Sequence, residues 1–200
     1  MSYLGSTLRE DGTIRNEICR RLGVGWADFS KMARLWRHTS LPRARKVQIF
    51  QAVVTSKVLY GLSSAWLNVC EQRHIDGFQA RCLRSVLGIK PAYWSRVSNL
   101  KILEQACQRP YSKQLLCQQL LLYGKVARAA DTEITRAATF CPGSLRPATD
   151  RYVRKRGRPR NEWATMLHQE ALKMTGGRSQ LDQAIHSALQ WDESVRKHTS

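Results

Sequence analysis

Residues 14–36, IRNEICRRLGVGWADFSKMARLW, decide the fold class. Ile14, Ile18, Leu22, Phe29, Ala33 and Trp36 recur mostly at steps of three and four, which gathers them on one face of a helix. Arg15, Arg20, Arg21, Lys31, Arg34 and Arg37 are expected on the opposite side. A rod with one apolar and one basic face packs on a core while it meets a phosphate backbone; the plainer reading of the same pattern is a solvated basic face. Gly23 and Gly25 weaken the middle of the helix and mark a bend.

The same period continues downstream. His38-Thr39-Ser40-Leu41-Pro42 closes the first helix and opens a second, which runs through Val47, Phe50, Val54 and Val58. Arg43, Arg45 and Lys46 sit in its first turns, where positive charge is locally unfavourable. A third helix is predicted from Glu71 to Leu87, with Ile75, Phe78, Cys82 and Val86 as its apolar stripe. Gly88 and Lys90-Pro91 end it. Helical spacing resumes over Leu100–Cys107 and Ser112–Ala130. Cys141–Arg160 then carries Arg146, Arg151, Arg154, Lys155, Arg156, Arg158 and Arg160 against Asp150 alone, with interspersed Pro and Gly. That composition predicts a basic linker. Helices are predicted again over Glu162–Met174 and Ser179–Trp191. Upstream, Ser2–Leu8 reads as a short strand and Arg9-Glu10-Asp11-Gly12-Thr13 as a turn.

The expected fold is therefore mainly α: a helical bundle with a short N-terminal β-hairpin and a basic linker to small C-terminal helices. It divides into residues 1–13, helices over 14–66, a helical extension over 67–130, the linker over 131–161 and a helical tail over 162–200.

The 200 residues hold 33 Lys and Arg against 15 Asp and Glu, a formal charge of +18. That balance favours a polyanionic partner, most simply nucleic acid. An acidic membrane surface is the less simple reading of the charge; no stretch of apolar residues is long enough to span a bilayer, so no spanning helix is expected and no membrane is counted among the partners. No secretory signal is visible at Met1-Ser2-Tyr3-Leu4-Gly5, and the six Cys read as reduced intracellular thiols. Cys82, on an apolar stripe, reads as a small buried hydrophobe.

Neither a metal site nor catalytic chemistry is expected. Cys19, Cys70, Cys82, Cys107, Cys117 and Cys141 lack the close pairs of a zinc knuckle. Glu10, Asp11, Glu17, Asp28, Glu71, Asp76 and Glu104 are too scattered to suggest a two-metal centre. Gly23-Val24-Gly25 lacks the third glycine and the preceding strand of a phosphate cradle. Trp26, Trp36, Trp66, Trp94, Trp163 and Trp191 are stacking platforms for bases on one reading and packing residues on the other. Arg154-Lys155-Arg156-Gly157-Arg158-Pro159-Arg160 suits an extended path along a narrow, negative groove, and reads equally as a nuclear localisation signal.

In order, Tyr3-Leu4-Gly5-Ser6, Asp11-Gly12, Glu17-Ile18-Cys19-Arg20-Arg21-Leu22, Phe29-Ser30-Lys31-Met32, Lys46-Val47, Val58-Leu59-Tyr60-Gly61, Trp66, Phe78, Arg81-Cys82-Leu83-Arg84, Leu87-Gly88-Ile89, Arg96-Val97-Ser98-Asn99 and Gly157-Arg158-Pro159-Arg160 with Trp163 are the stretches that carry a family resemblance. Together they resemble the segment after the catalytic palm in reverse transcriptases of non-LTR (LINE-like) retrotransposons. Leu62-Ser63-Ser64-Ala65-Trp66 departs from it, because the family places an acidic residue before the Trp. The resemblance implies that residues 1–13 are the last palm hairpin, 14–66 a thumb, and the rest a C-terminal extension. It further implies an RNA-directed DNA polymerase as the parent. The palm aspartates of that activity are absent from this chain, so no catalysis is expected of it. Magnesium is expected only in the complete enzyme. The implied role is to hold an RNA–DNA hybrid or a DNA duplex by its phosphates, in an intracellular, nuclear setting. Arg15, Arg20, Arg21, Lys31 and Arg34 are the thumb candidates, and Arg154, Lys155, Arg156, Arg158 and Arg160 form a second contact. The palm and fingers are further partners on this view. Three alternatives stay open: a piece of an active polymerase completed by a separate palm, a stand-alone helical DNA-binding module, and a degenerate transposon remnant.

Overall fold

A computed structural model describes residues 2–3, 6–7, 14–38, 40–149 and 162–199. The fold is mainly helical, as the three-and-four spacing requires. At the N-terminus, β1 (Ser2–Tyr3) pairs antiparallel with β2 (Ser6–Thr7), Ser2 opposite Thr7 and Tyr3 opposite Ser6. The strand expected over Ser2–Leu8 is thus two shorter segments, and the turn expected over 9–13 lies outside the described residues. The helices form two compact units, one of residues 1–62 and 67–114, the other of 63–66 and 115–200.

In the first unit the helix expected over 14–36 is two: α1 (Arg15–Lys31) and α2 (Ala33–His38), separated at Met32. Orphan carbonyls at such a break need donors. The Met32 N–H and the Trp36 indole both donate to Phe29 O, at 3.2 and 2.9 Å, and further along α2 Lys46 Nζ donates to Trp36 O at 2.9 Å. Lys46 is therefore buried as a structural donor, which accounts for a cation in the first turn of α3 (Arg43–Phe50). The second expected helix is interrupted too. A π-helical turn over Gln51–Thr55 joins α3 to α4 (Ser56–Leu59). The extra residue per turn re-aims the face, and Thr55 Oγ1 lies 2.7 Å from the buried Tyr111 hydroxyl.

Packed against these is α5 (Val69–Leu87). Its start is a capping box: Asn68 Oδ1 accepts from Glu71 N at 3.0 Å and Glu71 Oε2 from Asn68 N at 2.8 Å. Gly88, left-handed at φ 72°, ends it as expected. Ile75, Leu83 and Cys82 are fully buried, and burial pushes the Cys82 thiol up to about 12. Two short helices come next, α6 (Ala92–Ser95) and α7 (Asn99–Gln105). Asp76 on α5 accepts from Ser112 N at 2.8 Å and Ser112 Oγ at 2.7 Å, holding the start of α8 (Tyr111–Arg128).

The second unit takes the remainder of α8, then α9 (Ile134–Thr139), α10 (Trp163–Thr175), α11 (Arg178–His186) and α12 (Ala188–His198). Its core gathers Leu120, Tyr123, Phe140, Leu167, Ala171, Leu181 and Trp191. Trp191 is wholly buried and donates to Leu120 O at 3.0 Å. Gly124 is what admits it: a Cβ there would overlap the indole ring. Tyr123 Oη meets His168 Nδ1 at 2.8 Å. The last expected helix is split at Ser187, whose hydroxyl caps α12. Part of the expected linker is not one. Residues 131–149 contain α9 and a bridge between Phe140 and Pro147, because Phe140 and Ala148 carry apolar surface that the core takes up.

Candidate nucleic-acid interface

The basic side of α1 is less available than its sequence suggests. Glu17, itself buried, accepts from Arg20 Nη2 at 2.6 Å and from Arg21 Nε at 2.7 Å. Arg21 is buried rather than opposite the core, and its guanidinium lies 4.8 Å from the Tyr60 ring centroid. Asp28 accepts from Lys31 at 3.3 Å and from Lys57 at 2.5 Å. Those two contacts, Lys57 first, hold its carboxyl below the usual range. Arg15 and Arg34 are exposed, with no side-chain hydrogen bond or ion pair among the described residues. The structure thus places all five thumb candidates on α1 and α2 but leaves only these two guanidinium groups uncommitted. Arg154, Lys155, Arg156, Arg158 and Arg160 lie outside the described residues.

A second basic feature lies elsewhere in the same unit. An open cleft of about 490 Å³ is lined by Arg37 on α2, Gly77, Arg81 and Arg84 on α5, and Ala92 and Asn99 beyond it. None of the described residues that line it is acidic. Residues 77, 81 and 84 share one helical face by their steps of four and three. Arg37 and Arg81 are exposed and form no ion pair among the described residues. Arg84 is 7% exposed and, among the described residues, its side chain reaches neutral acceptors: Val97 O at 2.6 Å, Asn99 Oδ1 at 2.9 Å and Ser95 Oγ at 3.4 Å. Arg81 and Arg84 are not among the contacts expected from sequence, although the Gly77, Arg81, Arg84 spacing is visible there; what the sequence does not reveal is that α2 brings Arg37 to the same place.

The tryptophans divide between the two readings. Trp36 and Trp191 are buried, Trp66 and Trp163 half-buried, and Trp26 and Trp94 exposed. Among the described residues no group of three His, Cys, Asp or Glu is placed to hold a metal ion, and no helix is long and apolar enough to cross a membrane. No protein-family model matches the chain, and neither does any curated protein or solved structure.

Proposed function

We propose that this chain is a nucleic-acid-binding, non-catalytic part of a retrotransposon RNA-directed DNA polymerase, holding primer–template duplex through its phosphates. On this reading residues 1–13 are the end of the palm, 14–66 the thumb, and the partners are an RNA–DNA hybrid or DNA duplex together with the palm and fingers, in the nucleus. The observation that carries it is a formal charge of +18. The exposed Arg15 and Arg34, which have no carboxylate partner among the described residues, support it further. Excess cations that the protein does not neutralise are what a polyphosphate recruits, with release of its counterions. The order of motifs, which resembles that of LINE-like reverse transcriptases, is what favours this more specific reading.

The test is titration of the full chain with RNA–DNA hybrid and with duplex DNA at several salt concentrations, with circular dichroism as folding control. The affinity should fall linearly with salt on logarithmic axes, by a slope of about 0.9 per neutralised phosphate. Replacing Arg154, Lys155, Arg156, Arg158 and Arg160 by Gln should lower that slope. A folded chain that binds neither duplex sinks the reading.

A further inference from the structure

The cleft on the first unit brings three guanidinium groups together without a carboxylate among the described residues that line it. The carbonyl end of α5 offsets them by only about half an elementary charge. Arg84 sharpens the imbalance, since a cation so deeply buried normally has a counter-ion. Its hydrogen bonds to Ser95, Val97 and Asn99 instead fix the wall beyond α5, leaving Arg37 and Arg81 to face an incoming anion. The volume falls within the small-ligand range of roughly 300–1,000 Å³.

Beside this cleft the chain displays two aromatic rings. Pro91 and Ala92 line the cleft, and Tyr93 and Trp94 come directly after, 73% and 72% exposed. Their rings meet edge to face, 5.3 Å between centroids and 87° between planes, so they do not cover one another as stacked rings would. Arg96, left-handed at φ 56°, ends the single turn of α6 and sets its guanidinium 5.8 Å from the Tyr93 centroid. The pair therefore stands on a short turn anchored by the Arg84–Ser95 contact.

We infer that the cleft and the Tyr93–Trp94 pair form a subsite for one nucleotide of an unpaired strand, with the phosphate between Arg37 and Arg81 and the base stacked on Trp94. This rests on the nucleic-acid reading above and adds a strand type to it. A duplex keeps its base faces stacked on each other, whereas a single strand offers them to aromatic side chains. Arg84 is a positioning residue here: it acts through the wall that carries α6.

The full chain and three variants are titrated with a short fluorescent oligothymidylate and, separately, with duplex DNA. Trp94→Ala removes the platform at an exposed position. Gly77→Glu puts a carboxylate on the cleft floor, where a Cβ meets nothing within 4 Å. Arg81→Gln removes one cation. Thermal melts check folding. Trp94→Ala and Gly77→Glu should weaken oligothymidylate binding about tenfold, with duplex binding far less changed. Arg81→Gln should lower the single-strand salt slope by about 0.7. Three folded variants that bind oligothymidylate like the parent, while duplex binding persists, overturn the subsite and leave the broader reading standing. Equal loss on both ligands overturns the preference for an unpaired strand. Binding of neither ligand by the parent chain overturns both.

Discussion

Helices α1 and α5 belong to the same unit, run 17 and 19 residues, and both carry several arginines, yet they use their acidic residues differently. On α1, Glu17 and Asp28 neutralise cations: Arg20 and Arg21 in one case, Lys31 and Lys57 in the other. On α5, Glu71 closes a capping box and Asp76 holds the start of α8. Arg81 and Arg84 are then left without a carboxylate among the described residues. Available charge is decided by what the acids are doing rather than by how many cations the helix has. The two glycines tell the same story in steric terms. Gly25 on α1 lies against Val58, where an added Cβ would sit only 2.6 Å from Cγ2, whereas Gly77 on α5 opens onto the cleft.

The largest effect should come from breaking the charge pairing on α1. Glu17→Gln removes the buried carboxylate that accepts from Arg20 and from Arg21, whose side chain is 10% exposed. A loss of about 3 kcal/mol is expected, read as a lower urea midpoint at unchanged slope. Truncating the exposed Arg20 alone should cost well under 1 kcal/mol. Equal losses from the two changes would mean that burial does not distinguish them.

Next come the glycines. Gly25→Ala forces Val58, a β-branched and fully buried side chain, to move, at a cost of about 2 kcal/mol. Gly77→Ala meets no atom and gains helix propensity, so it should stabilise by up to about 1 kcal/mol. Thermal melts of the two variants should shift in opposite directions, and a shared direction would show that α5 is closed where the cleft is drawn.

The same contrast explains how much of the molecule is legible in its sequence. Elements with a strong stripe and clear stops are readable: α5 needs only Ile75, Phe78, Cys82 and Val86 with Gly88 behind them. The break at Met32 is not, because the Trp36 indole that reaches back to Phe29 O is a tertiary contact with no local stop signal. The π turn at Gln51–Thr55 leaves the apolar spacing nearly intact and so gives no local sign. Residues 131–149 read as linker because of the basic run on their C-terminal side, although Phe140 is a core residue by chemistry. At the site, helical spacing names the cations but not their partners. Arg21 has the same side chain as Arg34, and only its place four residues after a buried Glu17 separates their roles.

Asp28 offers the smallest and finest test of the comparison, because it changes available charge without touching the core. Lys57 first, then Lys31, depress its carboxyl below the ordinary value of 3.8. A depressed folded-state value means that its contribution to stability is complete above that ordinary value and is lost as pH falls through the depressed one. Asp28→Asn should therefore be slightly less stable than the parent at neutral pH, and the gap in urea midpoint should close in acid. Meanwhile the variant frees two lysines, so α1 should come to resemble the flank of α5. Duplex affinity should rise at low salt, and the salt slope should steepen by up to about 0.9 for each lysine that reaches a phosphate. An unchanged slope would place Lys31 and Lys57 off the bound surface and restrict the α1–α2 contribution to Arg15 and Arg34.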